Sequence, residues 1–504
     1  MTITIKLKAK VFDITAEVPV SVLHELDARK IDAGYLSRIE VNVGKQKETC
    51  ILDTSLTFVE EGTIGFFKNT ADQLKVKDGV IVEINLLPPT KSIAYITNKI
   101  KNKSLLKEEV YEIVKDIEEN KITAVELSSF VTACYVNGLS LEESTYLCNA
   151  LIEAGDLLDY GKKEILDKHS IGGINGRVSL ILTPIISSLG YFMPKTASRS
   201  ISSAAGTADC MEALAPVGFT LPEIKKILEK TGAVIAWEGK FDLCPVDNTI
   251  IKIEHALSIN PEGIMIASIL SKKKSAGATH LVIDIPVGSK MKVKDKESAE
   301  RLARKLITVS KSLGIKTRAL LTDGEEPCGR AFGAMLEARE AMRILEGRYF
   351  DNLANKSCLL AGELLELAGR AKEGEGFNLA KDTITSGKAL LKMQEIIKAQ
   401  GGVISSSEQL KDAKFKKEIL ATTMEGKIEG WDMEILTKLA RTAGAPEDKE
   451  AGVLLCRYVG ETIKKGDKVL EIYSNSQDKL SYAEKYLREN YPLRFESIIL
   501  EEIE

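Results

Sequence analysis

The sequence predicts a multidomain α/β protein with a small N-terminal β barrel, a helical subdomain, a large α/β domain and a C-terminal α+β domain. Its 504 residues correspond to about three to four domains at about 150 residues per domain. Hydrophobic residues make up 44% of the chain and charged residues 28%, which is ordinary usage for a folded globular protein. The hydrophobic pattern changes from strand-like to helical and then alternates, and each change marks a predicted boundary.

Residues 1–86 carry short strand-like segments separated by Gly, Asp and Lys, and this pattern favours a small barrel. The five segments begin at residues 3, 38, 48, 62 and 79. Pro88 and Pro89 then end the strand pattern, because proline lacks the backbone N–H that a sheet requires.

Residues 87–160 predict a helical subdomain, to which we also assign part of residues 248–275. Apolar residues recur at helical spacing from Leu106 to Ile117, behind a candidate N-cap at Ser104. Two further helices begin at capping boxes, in which Ser or Thr is followed three residues later by Glu. The boxes are Thr123 with Glu126 and Ser140 with Glu143.

Residues 161–410 predict an α/β domain, because apolar strand-like runs alternate with helical segments. Residues 281–287 and 317–322 are two such strands, and Gly314 ends the helix between them. Residues 411–504 predict a separate α+β domain, in which short Gly-bounded strands accompany a helix.

Charge and cysteine content narrow the class of protein. The 69 basic and 73 acidic side chains leave a formal net charge of −4, so no global positive field favours nucleic-acid binding. The eight cysteines include no C-x-x-C pair, and this spacing favours a reducing cytoplasm over zinc binding or disulfides. The N-terminus lacks a signal-type apolar run, and polar residues, Gly and Pro interrupt the most apolar stretch, residues 180–194. We therefore expect a cytoplasmic protein without an export signal or membrane span.

The densest group of reactive side chains surrounds a glycine-rich turn. Lys168, His169 and Ser170 precede Gly172, and Ser179 lies in the apolar helix that follows. Such a turn directs backbone N–H groups, a lysine and a serine toward one phosphate, which the positive end of the helix also favours. The segment matches neither the Walker loop nor G-x-G-x-x-G. A surface turn that simply requires glycine is the alternative, and the histidine is either a ligand to base or ribose or a packed loop residue.

Two further groups of polar residues follow along the chain. Residues 196–207 place Ser and Thr hydroxyls around Arg199, which suits an anion with several oxygens, although a solvated Ser-rich loop is the alternative. Ser268 and Lys272 lie four residues apart and share a face if the segment is helical. Lys273 and Lys274 are expected to face solvent, since a lysine run usually marks an exposed helix end.

Together these motifs resemble the thymidine and pyrimidine nucleoside phosphorylase superfamily, and most closely its archaeal-type AMP phosphorylase branch. The resemblance rests on five segments in order: DKHSIGG, SRSISSAAGTAD, IEHALSINPEG, ASILSKK and TDGEEPCGRAFGAMLEARE. It extends from the N-terminal barrel to the C-terminal domain. The barrel ahead of the helices favours the AMP phosphorylase branch, because thymidine phosphorylase begins directly with helices.

The resemblance implies phosphorolysis in nucleotide salvage: orthophosphate attacks C1′ of a nucleoside 5′-monophosphate and releases the base and α-D-ribose 1,5-bisphosphate. The oxocarbenium-like transition state needs a phosphate site on one face of the ribose and a donor to the base on the other. The residues implied to bind the attacking phosphate are Lys168, Ser170, Ser179 and Thr207. Those implied to bind the nucleotide are Gly172, Ser198, Arg199, Ser200, Ile201, Ser202, Ser203, Thr207, Ser268, Lys272 and Lys292. Lys168 and His169 are placed among the catalytic residues, and no metal or organic cofactor is implied, since orthophosphate is a co-substrate.

One residue departs from the family pattern at the position of the proton donor. The AMP phosphorylase branch carries an aspartate there, taken to protonate the leaving base, whereas this chain has Asn260. An amide donates a hydrogen bond but delivers no proton, and loss of a general acid typically costs about 10²–10⁴ in rate. Asp247 and Glu254 are carboxylates nearby in sequence. Lys252 stands near a position where thymidine phosphorylases use an arginine against the base, so the base preference stays open.

Two other functions remain open from the sequence. A pyrimidine nucleoside phosphorylase would use unphosphorylated uridine or thymidine, and a non-catalytic nucleotide-binding or regulatory protein would account for Asn260. Anthranilate phosphoribosyltransferase has a related fold but handles pyrophosphate with magnesium, and no acidic cluster is placed for that metal. The relatives form dimers with the active site between the helical and α/β domains, and the AMP phosphorylase branch builds larger assemblies through its barrel. The resemblance therefore implies a homodimer or a higher homo-oligomer that binds small-molecule substrates.

Overall fold

The structure is a computed structural model that describes residues 3–16, 18–161, 163–172, 177–200, 203–241, 243–421 and 425–495. The chain folds into two compact units. The first unit comprises residues 1–156 and 244–271, and the second comprises residues 157–243 and 272–504.

The N-terminal residues form the predicted barrel. Its elements are β1 (Thr4–Phe12), β2 (Val20–His24), α1 (Glu25–Lys30), β3 (Arg38–Val43), β4 (Gln46–Ser55), β5 (Thr63–Phe67), α2 (Lys68–Leu74) and β6 (Ile81–Leu86). The strands close in the order β1-β5-β2-β4-β3-β6, around fully buried side chains such as Ile39 and Phe66. The sequence pattern does not predict β2, because this short apolar run continues directly into a helix and periodicity cannot separate the two.

Four helices form the predicted helical subdomain: α3 (Ser92–Ile100), α4 (Lys107–Glu118), α5 (Ala124–Asn137) and α6 (Leu141–Glu153). The capping boxes at Thr123 and Ser140 are confirmed at the starts of α5 and α6. The predicted cap of α4 at Ser104 is wrong, since the N-cap is Leu106. The Glu109 carboxylate accepts the Leu106 N–H at 2.9 Å, so a side chain inside the helix satisfies the backbone and no hydroxyl cap is needed.

The middle of the chain alternates strands with helices, as predicted. Its elements are β7 (Leu166–Ser170), α7 (Val178–Ser188), β8 (Met193–Ala197), α8 (Thr207–Glu212), α9 (Leu221–Thr231), β9 (Ala233–Trp237), α10 (Pro245–Leu257), α11 (Glu262–Ser275), β10 (His280–Val287), α12 (Lys296–Ser312), β11 (Lys316–Asp323), β12 (Ala331–Phe332), α13 (Ala334–Leu345), α14 (Asn352–Leu367), α15 (Gly376–Thr385) and α16 (Lys388–Ala399). Strands β11, β10 and β7 form a parallel sheet in that order, and β8 pairs in parallel with β9. Helix α10 and the part of α11 up to Ser271 belong to the first unit.

Helix α7 is the centre of the largest hydrophobic core. Its residues from Val178 to Ser187 are all buried, and helices α13, α14 and α16 pack around it. This burial explains why the helix is apolar on every side, as expected of a helix inside a large core. No helix among the described residues is long and apolar enough to cross a membrane.

The C-terminal α+β domain is confirmed and shares a sheet with the α/β domain. Its elements are β13 (Phe415–Leu420), β14 (Gly426–Trp431), α17 (Met433–Ala443), β15 (Gly452–Leu455), β16 (Thr462–Ile463), β17 (Lys468–Ser474), α18 (Gln477–Glu489) and β18 (Leu493–Phe495). Strand β12 pairs with β15 at the edge of the sheet β12-β15-β17-β13. The C-terminal residues therefore hydrogen-bond directly to the α/β segment.

Candidate active site

The carboxyl ends of three parallel strands bring together residues that lie far apart in the sequence. In the register of the sheet, Asp284 of β10 is opposite Ser170 of β7, and Thr322 lies at the end of β11. Parallel strands end at the same edge of a sheet, which is where ligands bind in open α/β folds. The sequence prediction of a polar turn after β7 therefore falls at this edge.

One buried carboxylate organises the predicted phosphate-binding lysine. Asp284 accepts hydrogen bonds from the hydroxyls of Ser170 at 2.5 Å and Thr322 at 2.6 Å. Its Oδ2 atom lies 3.8 Å from the Nζ atom of Lys168 and 3.2 Å from that of Lys356. Two lysines and two hydroxyls thus share one carboxylate, which fixes their positions around a common centre.

Burial sets the ionisation of this cluster. Burial lowers the pKa of Lys168 to about 8. The negative charge of Asp284 raises this pKa and the positive charge of Lys356 lowers it, but burial is the largest effect. Burial opposes ionisation of Asp284, but the two lysines and the two hydroxyls outweigh it and hold the pKa of the carboxyl below its ordinary value. The aspartate is therefore ionised at neutral pH, and the proton on Lys168 is only weakly held.

A second buried ionic cluster lies beside the first. Asp167 of β7 is 1% exposed, and its oxygens contact the Nζ atoms of Lys195 at 3.3 Å and Lys273 at 2.7 Å. Lys195 also donates to the backbone oxygen of Lys168 at 2.9 Å. The prediction that Lys273 faces solvent is wrong, because this ion pair buries its side chain, whereas Lys274 is half-buried.

The two clusters together carry excess positive charge. Four lysines face two aspartates. Burial lowers the pKa of Lys195 to about 7, so this lysine is only partly charged at neutral pH, but the lysines still carry more charge than the two carboxylates. A buried excess of cations is costly unless an anion compensates it. Burial, and then the charges of Lys273, Lys195, Lys168 and Lys292, hold the pKa of His169 well below its ordinary value. The histidine is therefore neutral, so it can accept or donate a hydrogen bond but adds no charge.

The glycine-rich turn brings Lys292 to the same place. Gly172 has φ +88°, and a Cβ atom there would lie 3.6 Å from the Cβ and Cγ atoms of Lys292. Two residues that the family resemblance places at the nucleotide are thus neighbours in space. Residues 173–176 lie outside the described residues, and Ser179 is buried in the first turn of α7. A phosphate near that helix end would be favoured by the unpaired N–H groups and the helix dipole.

The second predicted loop is held by a single carboxylate. Asp209 Oδ2 accepts the backbone N–H groups of Ser200 and Gly206, both at 2.8 Å. A Cβ atom at Gly206 would lie 2.7 Å from the Ser198 oxygen and the Ser200 nitrogen, so only glycine permits this close approach. The predicted Thr207 is the first residue of α8, while the predicted Ile201 and Ser202 lie outside the described residues.

Hydroxyls and a guanidinium complete this loop. Ser200 donates to the backbone oxygen of Ser203 at 2.5 Å. Arg199 contacts both oxygens of Glu212 at 2.7 Å and one oxygen of Asp209 at 3.1 Å, and it lies 4.7 Å above the ring of Trp237. These partners bind the guanidinium to the protein itself, so the geometry favours Arg199 as a support of the loop over a direct anion ligand.

The predicted base-binding residues lie on α11 and just before it. Ser268 donates to Asp247 Oδ2 at 2.7 Å within the first unit, and Asp247 is fully buried. Asn260 is exposed in the segment between α10 and α11, where its Nδ2 atom contacts the Met265 sulfur at 3.4 Å. Lys272 belongs to the second unit, where its Nζ atom is 3.9 Å from Glu238 Oε1. Glu254 is half-buried in α10 and Lys252 is exposed there.

Several residues of these clusters were not singled out from the sequence. They are Asp167, Lys195, Asp284, Thr322 and Lys356. A charged residue inside the apolar strand LVIDIPV was a usable signal for Asp284, because a carboxylate is rarely buried without partners. Nothing in the sequence around Lys356 distinguishes it from a surface lysine. Among the described residues, no group of three or more His, Cys, Asp and Glu side chains is arranged to hold a metal ion.

Comparison with known proteins identifies relatives that match this chain along nearly its entire length. The AMP phosphorylase of Methanocaldococcus jannaschii is 39% identical, with 99% of each chain covered. The chain belongs to the AMP phosphorylase family. The AMP phosphorylase of Thermococcus sibiricus is also 39% identical, again with 99% of each chain covered, and that of Methanosarcina acetivorans is 38% identical, covering 99% of this chain and 98% of the relative.

Domain models match three parts of the chain, and a solved structure shares its fold. Residues 93–155 match the helical bundle domain of a glycosyl transferase family, and residues 162–390 match its a/b domain. Residues 427–494 match the pyrimidine nucleoside phosphorylase C-terminal domain. The anthranilate phosphoribosyltransferase of Thermus thermophilus superposes with a TM-score of 0.53, covering 61% of this chain and 99% of that one at 20% identity. That likeness shows a shared fold alone.

Proposed function

We propose that this chain catalyses the phosphorolysis of AMP by orthophosphate, which yields adenine and α-D-ribose 1,5-bisphosphate in nucleotide salvage. Full-length identity of 39% to proteins named AMP phosphorylase supports this reaction. The observation that carries the proposal is the buried excess of lysines over aspartates in the two ionic clusters around Asp284 and Asp167. In a member of this family, an excess of buried positive charge fits two phosphate-bearing substrates.

We assign the attacking phosphate to Lys168, Ser170, Ser179 and Thr207. The lysine supplies the charge, the hydroxyls donate hydrogen bonds, and the N-terminus of α7 adds its dipole. Lys356 joins this group on the strength of its contact with Asp284. The phosphate oxygen forms a bond to C1′ as the C1′–N bond breaks, and the electron pair of that bond leaves with the base. The base then takes up a proton from water, which balances the proton that the attacking hydrogenphosphate gives up.

The nucleotide is assigned to the second loop and to residues of other segments of the chain. By family match these are Gly172, Ser198, Ser200, Ile201, Ser202, Ser203, Thr207, Ser268, Lys272 and Lys292, with Arg199 as a support of the loop. His169 stays neutral because burial, and then its lysine neighbours, hold its pKa well below the ordinary value, so its role is a hydrogen bond to ribose or base and not proton delivery. Asn260 donates a hydrogen bond to the leaving base in place of a proton, as its amide chemistry requires.

We further propose that the enzyme works without a metal or organic cofactor, as a cytoplasmic homodimer or higher homo-oligomer. Lysines, hydroxyls and a helix terminus supply the stabilisation that metals provide in other phosphate-handling enzymes. Activity measured in the presence of a chelator, together with light scattering of the purified protein, tests these statements.

The decisive experiment is a substrate panel. The purified protein is incubated with AMP, CMP, UMP, adenosine, uridine or thymidine, with and without orthophosphate, and free base and sugar phosphate are separated by chromatography. We expect phosphate-dependent release of adenine from AMP, and the CMP and UMP reactions define the base range. Release from nucleosides alone would instead identify a nucleoside phosphorylase, and binding of AMP without release of adenine would identify a non-catalytic protein.

A further inference from the structure

Strands β7 and β8 lead to residues assigned to different substrates, and they belong to different sheets. Lys168 and Ser170 lie on β7, and the second loop begins at Ser198, directly after β8. Neighbouring parallel strands that continue into different sheets leave a crevice at their carboxyl ends, which is where ligands bind in open α/β folds. The spacing between β7 and β8 therefore influences how far apart the two substrates are held.

Among the described residues, backbone pairing between the two strands is confined to their amino ends. Ile165 forms a parallel bridge with Phe192, and the Leu166 N–H donates to the Phe192 oxygen at 2.9 Å. When this register is continued, Lys168 is opposite Lys195. A continuing parallel ladder would pair the backbone groups of Lys168 with the backbone of β8.

Two side chains take the place of that ladder at Lys168. The backbone N–H of Lys168 donates to Asp167 Oδ1 at 2.7 Å, and its backbone oxygen accepts from Lys195 Nζ at 2.9 Å. The same Asp167 oxygen lies 3.3 Å from Lys195 Nζ, so the two side chains bridge the strands as an ion pair. Both side chains are buried, and exclusion of water strengthens such contacts.

The aspartate of this bridge is itself held in place from another element. Lys273 of α11 donates to Asp167 Oδ2 at 2.7 Å, which leaves Oδ1 to Lys195 and to the Lys168 N–H. Lys273 thus anchors the carboxylate, whereas Lys195 is the group that reaches from β8 to the backbone of β7.

We propose that Lys195 is a positioning residue that sets the spacing between β7 and β8, and thereby the distance from the attacking phosphate to C1′ of the nucleotide. Its effect on the reaction rests on the proposed function, whereas its contact with the backbone of β7 does not. Reacting atoms must lie about 3–3.5 Å apart, and a displacement of about 1 Å can cost about 10²-fold in rate. Loss of Lys195 should therefore lower kcat, and not only the stability of the fold.

The test compares Lys195→Met with the parent protein. Methionine fills most of the same volume, but it neither donates to the Lys168 oxygen nor pairs with Asp167. We expect kcat for AMP phosphorolysis to fall by about 10²-fold. The KM for phosphate should change less, because Lys168 and Ser170 themselves are retained. Crystal structures of the two proteins should show a wider separation of β7 and β8 at Lys168 in the variant.

Gln400→Met is the matched control on the other strand of the same sheet. Ile235 of β9 is opposite Lys195, and the buried Gln400 side chain accepts from the Ile235 N–H at 2.9 Å and donates to its oxygen at 3.1 Å. Its removal also breaks buried hydrogen bonds to this sheet, but it leaves the contact between β8 and β7 intact. We expect Gln400→Met to lower the melting temperature and to retain the parental kcat.

The outcomes separate positioning from stability and from the proposed function. A folded Lys195→Met protein with the parental kcat, or with the parental spacing of β7 and β8, would overturn the proposal. Equal losses of kcat in Lys195→Met and Gln400→Met would also overturn it, because they would reflect a general loosening of the sheet. Absence of AMP turnover in the parent protein rejects the proposed reaction alone, and the two crystal structures then decide whether Lys195 sets the spacing. Circular dichroism confirms folding, and Lys195→Gln replaces Lys195→Met, with the same expectations, if the latter does not fold.

Discussion

At the scale of single residues, the proposed reaction makes Asn260 the residue to test for protonation of the leaving base. Its amide is exposed and contacts only the Met265 sulfur among the hydrogen bonds described for it, so an aspartate fits the position without burying a charge. A carboxylic acid can deliver a proton and an amide cannot, so we expect Asn260→Asp to raise kcat for AMP, by up to about 10²-fold at acidic pH, where an exposed carboxyl with an ordinary pKa of about 3.9 holds its proton.

The pH profile and a matched variant check this prediction. Asn260→Asp should introduce a loss of kcat as the pH rises above about 4, where an exposed carboxyl loses its proton, whereas Asn260→Ala should show no such loss. A kcat for Asn260→Asp equal to that of the parent protein would mean that another group protonates the base, with Asp247 beside Ser268 as the first to examine.

Lys168 gives a second prediction at this scale, concerning phosphate affinity. Burial lowers the pKa of its ammonium group to about 8, and only the protonated form attracts an anion. Binding is therefore strongest below pH 8 and weakens as the pH rises through 8, by about tenfold for each pH unit well above it. The arginine of Lys168→Arg stays protonated in this range, so the KM for phosphate of this variant should change less with pH than that of the parent protein. Parallel pH profiles of KM for the two proteins would show that Lys168 does not bind the phosphate.

Lys168→Ala removes the ammonium group altogether. We expect this variant to lose turnover without unfolding.

At the scale of an element, the loop before α8 depends on one close backbone approach. An added Cβ atom at Gly206 would lie 2.7 Å from two backbone atoms, so the loop must move. We expect Gly206→Ala to lower the free energy of unfolding by about 1–3 kcal/mol and to raise the KM for AMP more than the KM for phosphate. Gly34→Ala is the matched control, because nothing lies within 4 Å of its added Cβ atom; urea titration and steady-state kinetics measure both variants. Equal effects of the two substitutions would contradict the prediction.

At the scale of the whole molecule, the C-terminal domain supports the nucleotide loop of the second unit. Arg441 of α17 donates to the Ser203 backbone oxygen at 3.0 Å, and Lys449 contacts Glu212, the carboxylate that holds Arg199, at 2.5 Å. We expect Arg441→Ala to raise the KM for AMP several-fold while kcat changes less, because the loop is displaced and no reacting atom is touched.

A surface arginine of the same domain provides the control for this prediction. Arg488 is 80% exposed and pairs only with Glu484 in the contacts described for it, so Arg488→Ala should leave both kinetic constants unchanged. Arg441→Lys should restore part of the affinity, since its ammonium group can still donate to the carbonyl. An Arg441→Ala protein with the parental KM would show that the C-terminal domain does not position the loop.

Local patterns in the sequence were sufficient for the fold class. Alternating hydrophobicity and capping boxes act between near neighbours, and so five of the six barrel strands and the helices α5 and α6 could be predicted directly. The Ser268 and Lys272 pair was likewise predicted, because a spacing of four residues on a helix is a local property.

Only the tertiary structure decided which charges meet. Lys273 lies 106 residues from Asp167 along the chain and still forms a buried ion pair with it. Lys356 of helix α14 contacts Asp284 of strand β10. Such pairs depend on the strands and helices that become neighbours in the fold. The spacing of hydrophobic residues does not encode this arrangement. A lysine in a charged run and a lysine in a buried cluster look alike in sequence, because the difference is created by the desolvation that folding imposes.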